Sequence, residues 1–272
     1  MLRLAAFVLI LGSLLCAAAA PTAPQTYESL DAVLWMQTSV EYRAAAVETY
    51  AAAKPALLRA LADKGWTAAT EQTGDYSNLP PAVVLDLDET VLDNSPFEAD
   101  TLAGTTDAST AGISDMKGKW EDWMKQERAG LVPGAFDFLV FAQTHGVTPV
   151  YITNRTCDSS SATDPTVSML HKLRLPLDPS SQHLFCADNS TGSDKTSRRA
   201  AVALKFRVLL LFGDQLGDFI KDPGDVAART QLFDSYRSMW GDRWFQLPNP
   251  TYGNWLDILG KTTEQRLTHL RK

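Results

Sequence analysis

From Ala82 onward, short apolar runs recur, and most of them end in polar residues. They are AVVLDLD at 82–88, VTPVYIT at 147–153, HLFCAD at 183–188, FRVLLLFGD at 206–214 and a weaker WFQLP at 244–248. Runs this short, rich in β-branched and aromatic residues, read as buried strands. Between them lie segments of helical composition, such as FDFLVFAQTHG and SDKTSRRAAVALK. Alternation of buried strands with helices predicts a parallel sheet covered on both faces. The expected fold class is therefore α/β, a doubly wound parallel sheet with an α-helical N-terminal extension and a small cap insertion. Sheets of this kind bind ligands beyond the carboxyl ends of their strands, where these polar residues fall.

Upstream the period changes. Residues 27–62 are Ala-rich and free of Gly, with Val40, Ala44, Val47 and Ala51 at helical spacing. Pro55 predicts a kink there or the start of a second helix. Residues 63–79, followed by two prolines, read as a linker. The stretch 96–132, between the first strand and the next helix, is too long for a simple connection. It carries Trp120 and Trp123 and reads as a lid over the strand ends. The expected organisation is a leader at 1–20, a helical segment packing on the core at 21–80, the core at 81–260 with a cap at about 96–132, and a tail at 261–272.

Residues 1–20 pair Arg3 with an apolar stretch from Leu4 to Leu15 and a run of small residues, the pattern of a secretory signal cleaved near Ala19. The stretch is marginal for a membrane span, which takes about 20 apolar residues. Cys16 offers a lipid attachment point, but Leu15 stands where such sites have a small residue. A soluble periplasmic or secreted protein is the expectation, with an outer-membrane lipoprotein as the alternative.

Composition narrows the class further. Across 272 residues, 45% are hydrophobic and 21% charged, which excludes a disordered or disulfide-dense chain. The formal net charge of −7, with no basic run, argues against binding a nucleic-acid polymer. The expected partner is a small molecule; the sequence leaves a homo-oligomer open.

The chemistry is concentrated at two acidic strand ends. In VVLDLDETVLDNS, Asp86 and Asp88 close the first apolar run at a spacing of two. Taken alone, such a pair reads more often as a solvated loop. In LLLFGDQLGDF a second apolar run ends in Asp214, with Asp218 four residues on. Carboxylates converging on one crevice repel unless a cation neutralises them, and a hard, oxygen-seeking ion such as Mg²⁺ meets that need. Thr153 ends a third run and offers a hydroxyl to a phosphate oxygen; Lys195 opens a helical segment and supplies a cation.

VVLDLDET, Thr153, Lys195 and GDQLGD resemble, in this order, the four motifs of the haloacid-dehalogenase superfamily of phosphatases. The match is closer to the secreted bacterial class C (class B-like) acid phosphatases, often lipoproteins with 5′-nucleotidase activity. LWMQTSVEYRAAAVETYAAAK, DETVLDNSPF, KWEDW, LVPGA, YITNR and LPNPTYGNW all look like that family, which extends the resemblance from about residue 30 to 257.

The resemblance implies an exported, Mg²⁺-dependent acid phosphatase working through an aspartyl-phosphate. Asp86 is the implied nucleophile and Asp88 the general acid and base. The implied metal ligands are Asp86, the backbone carbonyl of Asp88, and Asp214. Thr153 and Lys195 would hold the phosphoryl oxygens. Asp218 has two readings, support of the metal's waters or of Lys195, or a helix-capping acid. Arg155, beside Asn154, either contacts phosphate or salt-bridges a loop. Packing is the default for any aromatic and is kept for Trp123, whereas Trp120 and Tyr252 are expected to sandwich a nucleobase or aromatic leaving group. Gln215 stands where the family usually has Asn. A non-catalytic phosphate-binding or storage protein on the same scaffold is the alternative, opposed by the retention of Asp86, Asp88, Lys195 and Asp214.

Removal of the leader leaves two cysteines, Cys157 and Cys186, in a compartment that tolerates disulfides. They follow strands that a doubly wound sheet can make neighbours, so a bond between them is feasible. Closing a loop of about 30 residues would stabilise by about 3–4 kcal/mol on the chain-entropy model. His145, His171, His183 and His269 show no metal-ligand spacing and read as structural or exposed.

Overall fold

The computed structural model describes residues 29–104, 113–178, 183–187 and 192–271. Residues 1–28, which include the expected leader with Arg3 and Cys16, lie outside the described residues, as does the middle of the expected cap at 105–112. Two helices open the described chain, α1 (Leu30–Thr38) and α2 (Val40–Ala62). The break between them falls at Ser39, whose Oγ accepts the Tyr42 N–H at 3.0 Å and caps α2. It does not fall at Pro55, which sits inside α2.

The expected face of α2 is also corrected. Val40, Ala44, Val47 and Ala51 are exposed, and Tyr42, Ala46, Tyr50, Ala53 and Leu57 are buried. An Ala-rich helix offers apolar residues on every side, so its aromatic rings decide the face. Tyr50 stacks on Phe212 and donates its hydroxyl to the Thr90 carbonyl at 2.6 Å, which ties α2 to the loop after the first strand.

Strand β1 (Pro81–Leu85) is followed by a two-residue strand β2 (Leu92–Asp93), helix α3 (Ser95–Gly104) and helix α4 (Ile113–Gln126). Strand β3 (Gly130–Leu131) pairs antiparallel with β2 and closes the neck of this insertion. Then come α5 (Ala135–Thr144), β4 (Thr148–Ile152), α6 (Pro165–Lys172), β5 (Leu184–Phe185), α7 (Thr196–Ala203) and β6 (Arg207–Gly213). Helix α8 (Val226–Ser235), β7 (Trp244–Gln246) and the short helices α9 (Asn254–Asp257) and α10 (Thr263–Leu267) complete the chain.

The central sheet has the order β5-β4-β1-β6-β7, and every pairing in it is parallel. Each of its strands arises from one of the five apolar runs. Alternate residues of β1 face opposite layers. Val83 and Leu85 join the core built with α2 and α5, while Ala82 and Val84 join the core that includes Val202 and Ala203 of α7. The register of β1 against β6 skips Leu209, so Leu209 and Leu210 both belong to the α2 side.

The segment 63–79 is irregular but is no free linker. The Trp66 indole donates to the Leu209 carbonyl at 2.8 Å, and the Ala68 N–H donates to Val208 O. Buried Gln72 bonds Ala203 O, Phe206 O and Val208 N. Cys157 and Cys186 form a disulfide just beyond the neighbouring strands β4 and β5, with Cα atoms 5.6 Å apart.

Candidate active site

The chain leaves β1 on one side through β4 and β5 and returns on the other through β6 and β7, so the order reverses between β1 and β6. That crevice is the switch point at which open parallel sheets bind ligands. Asp86 directly follows β1 and Asp214 directly follows β6. The Asp86 N–H donates to Phe212 O at 3.0 Å, which fixes the two strand ends together.

Lys195, at the N-terminal boundary of α7, reaches into the same crevice. Its Nζ lies 2.5 Å from Asp86 Oδ1 and 2.6 Å from Asp218 Oδ1, and the ammonium is buried. Burial pulls its pKa down, but the Asp218 and Asp86 carboxylates outweigh that and push it up to about 12. Asp218 makes both kinds of contact expected of it, since its Oδ2 also accepts the Gln215 N–H at 2.9 Å. The turn 216–218 folds this carboxylate onto Gly213, where a Cβ would meet the Asp218 Cβ at 2.2 Å.

Among the described residues, Asp86, Asp214 and Asp218 offer oxygen atoms that all lie within 4.8 Å of one another. One ammonium faces three buried carboxylates. Burial, reinforced by Asp218 and Asp214, raises the Asp86 pKa well above the carboxylate range despite Lys195. Burial and Asp218 push Asp214 up to about 7. An all-oxygen donor set short of positive charge fits a hard divalent cation.

Asp214 is held by the C-terminal segment that also carries Tyr252, through residues to which the sequence assigned no role. Asn249 Nδ2 donates to its Oδ2 at 2.8 Å, the Gln246 amide donates to its backbone carbonyl, and Thr90 makes a long 3.4 Å contact with Oδ1. Two residues past Asn249, Thr251 bonds the Asn249 side chain, and Asn254 N donates to Gln215 Oε1.

Asp88 is gripped by Arg155, an ion pair within the site rather than with a remote loop, and Arg155 also lines the cavity. Arg155 Nη2 and Nε reach Asp88 Oδ1 at 2.7 and 3.0 Å. Buried Thr153 accepts the Arg155 N–H on its Oγ1 at 3.1 Å. Asn154 accepts from Arg198 Nη2 at 2.7 Å.

A cavity of about 280 Å³ opens above these groups, lined by Asp86, Asp88, Asn154, Arg155, Asp214 and Gln215 on the floor and Phe97, Glu98, Trp120 and Tyr252 at the rim. Thr153 and Lys195 are buried in the wall behind that lining. Trp120 packs edge-on against Phe97 and lies under the Arg155 guanidinium at 5.4 Å. Trp123 is buried in the cap and packs against Phe97.

Two further residues were missed. Glu89 adopts a positive φ of 55°, which is uncommon outside glycine, and this turns its carboxyl inward. Tyr252 OH donates to Glu89 Oε2, and the Asn94 N–H donates to Oε1 at 2.7 Å. Burial first, then Asp88 and Asp214, hold its pKa well above the ordinary range. Asn94 is fully buried beside it. Both fall within DETVLDN, and that motif was the available signal.

Paired carboxylates and a lysine at the switch point of a doubly wound sheet suit a charged ligand and a cation, and the family to which the chain belongs makes it a phosphomonoester hydrolase. The chain belongs to the HAD superfamily, subfamily IIIB (Acid phosphatase), which it matches over residues 16–255. A structure of the Class C acid phosphatase from Bacillus anthracis is 32% identical, covers 90% of this chain and 97% of that one, and superposes with a TM-score of 0.74. A second structure from that organism, the Class C acid phosphatase with tungstate bound, is 31% identical over the same shares, also with a TM-score of 0.74. Enzymes of this superfamily use a divalent metal, and the carboxylate cluster provides for one. Among the described residues no helix is long and apolar enough to cross a membrane.

Proposed function

We propose that the protein is an exported, Mg²⁺-dependent acid phosphatase that hydrolyses phosphomonoesters, nucleoside 5′-monophosphates among them, through a phosphorylated Asp86. The observation that carries this reading is the pairing of Asp86 with Lys195 at 2.5 Å in a crevice shared with Asp214 and Asp218.

Asp86 Oδ attacks phosphorus and later leaves when water hydrolyses the acyl phosphate. Asp86, the Asp88 carbonyl and Asp214 would hold Mg²⁺, which supplies Lewis acidity and offsets the repulsion between a carboxylate and a phosphate dianion. Lys195 and the Thr153 hydroxyl stabilise charge on the equatorial phosphoryl oxygens. Asp88 gives its proton to the leaving alkoxide and takes one from the attacking water. Asp218 orients Lys195. Trp120 and Tyr252, which line the cavity, would stack on a nucleobase or aromatic leaving group. Tungstate, a tetrahedral oxyanion, bound to the related phosphatase is in keeping with a phosphate-sized site. Export is supported by the character of residues 1–20 and by the disulfide.

The test is steady-state hydrolysis of p-nitrophenyl phosphate and a nucleoside 5′-monophosphate, with Mg²⁺ and with EDTA, for wild type and Asp86→Asn. Turnover that needs the metal and disappears with the substitution is expected. Undiminished turnover in EDTA would remove the metal from the scheme, and an active Asp86→Asn would remove the phospho-enzyme.

A further inference from the structure

Asp88 does not present two equivalent oxygens. Its Oδ1 accepts Arg155 Nη2 at 2.7 Å and Asn94 Nδ2 at 2.9 Å, and it shares the one Nε–H of Arg155, at 3.0 Å, with Oδ2. Among the described residues, Oδ2 meets only the long arm of that shared N–H, at 3.2 Å. Two close N–H donors occupy the in-plane lone pairs of Oδ1 and leave Oδ2 the more open of the two oxygens toward the site.

The amide that helps to load Oδ1 is itself locked. Asn94 Oδ1 accepts from the Trp123 indole N–H at 3.0 Å and from Arg155 Nη2 at 3.3 Å. Its Nδ2 faces acceptors, Asp88 Oδ1 and, at 3.5 Å, Glu89 Oε2. Rotating the amide by half a turn would set its oxygen against two carboxylates and its NH₂ against two donors. The fully buried side chain therefore has one orientation. Its backbone is fixed too, by the N–H to Glu89 Oε1, and Glu89 is in turn held by the Tyr252 hydroxyl. Trp123 belongs to the cap, Tyr252 to the C-terminal segment and Asp88 to the loop after β1, so Asn94 joins three separate parts of the chain.

We propose that Asn94 is a positioning residue for the general acid, its locked amide holding Asp88 Oδ1 so that Oδ2 carries the proton delivered to the leaving oxygen. In that step the Asp86 Oδ–P bond forms, the P–O bond to the alcohol breaks, and the Asp88 Oδ2 proton passes to the departing oxygen. The proton is replaced from the water that hydrolyses the phospho-enzyme. The inference rests on Asp88 acting as the acid, as proposed above. The indole of Trp123, read from sequence as packing alone, gains a second task, which is to choose the orientation of Asn94.

Leaving-group dependence separates positioning from general damage. Expelling p-nitrophenolate needs little help from an acid, whereas an alkoxide must be protonated as it departs. The experiment compares kcat/KM for p-nitrophenyl phosphate and glycerol 2-phosphate in wild type, Asp88→Ala, Asn94→Ala and Trp123→Phe. A positioned acid contributes about 10²–10⁴-fold. Asn94→Ala is expected to lose about 10–100-fold on the alkyl ester and less than about threefold on the aryl ester. Trp123→Phe keeps a ring in the cap while freeing the amide to turn, so a smaller shift in the same ratio is expected. It decides the matter if Asn94→Ala does not fold. Equal losses on both esters in the Asn94 and Trp123 variants, beside a selective loss in Asp88→Ala, would overturn the positioning role and leave the acid in place. An Asp88→Ala enzyme without selectivity would overturn both.

Discussion

Asp86 and Asp214 stand at the ends of adjacent strands, whereas Trp120 and Tyr252 reach the same cavity from a cap helix and a C-terminal turn. The floor is braced by the backbone ladder of β1 and β6 and by a buried ammonium between two carboxylates. The rim is held by ring contacts and single side-chain hydrogen bonds, Trp120 on Phe97 and Tyr252 on Glu89. Strand ends in a packed sheet hold charged groups in place through the reaction, as electrostatic stabilisation requires. Segments attached by a few side chains are free to differ in shape, and shape is what discriminates one leaving group from another. On the proposed function the floor would set the reaction and the rim the choice of ester.

The largest effect should come from the centre of the floor. Asp86→Asn removes the proposed nucleophile and should lower kcat for p-nitrophenyl phosphate by about 10³-fold or more, while calorimetry still detects nucleotide binding at the intact rim. A variant that lost binding along with turnover would break the division between floor and rim.

Next is the ammonium. Lys195→Met leaves Asp86 and Asp218 buried without their shared counter-charge, and removing one partner of a buried pair costs about 3–5 kcal/mol. Urea unfolding should show that loss. It should also be reduced by added Mg²⁺ more than the wild type responds, because the cluster has become more negative. A stability unchanged from wild type would mean that the floor tolerates its own repulsion.

The disulfide lies beyond the ends of β4 and β5, close to Arg155 in sequence but outside the charged cluster. Replacing Cys157 and Cys186 together with Ser should cost about 3–4 kcal/mol of stability on the chain-entropy model and leave kcat close to wild type. Titration of the unfolded, unreduced mature protein should find no free thiol. A large fall in kcat would show that the bond also shapes the site.

How much of this could be read from the chain differs along the same line. The five strands were legible because each is a short apolar run with a polar end, and Asp86 and Asp214 were legible because they close two of those runs. The buried face of α2 was not. Alanines surround that helix, and the choice of Tyr42 and Tyr50 over Val40 and Val47 depends on the rings and carbonyls they meet after folding. Residues 63–79 read as a linker because their anchors are hydrogen bonds from Trp66 and Gln72 to distant backbone, which leave no hydrophobic period. Asn94, Glu89 and Asn249 look like ordinary loop residues until the fold sets them against carboxylates, in the last case one 35 positions away. The partner of Arg155 lies 67 residues away and was equally invisible.

The smallest expected effect tests the rim alone. Aromatic faces that stack on a nucleobase contribute only to esters that carry one. Trp120→Ala should raise KM for a nucleoside 5′-monophosphate about tenfold, equivalent to about 1.4 kcal/mol, and change KM for glycerol 2-phosphate less than about twofold. Trp120 also lies under the Arg155 guanidinium, so its loss could act through Asp88 instead. Trp120→Phe keeps a π face for the guanidinium and most of the stacking area, and should fall between wild type and alanine. At Tyr252 the hydroxyl and the ring have separate tasks. Tyr252→Phe removes the hydrogen bond to Glu89 and should leave the nucleotide KM unchanged, whereas Tyr252→Ala should raise it as the Trp120 substitution does. If both esters weakened equally in the two alanine variants, the rim would be packing that supports the floor, and selection of the leaving group would have to be sought elsewhere in the cavity.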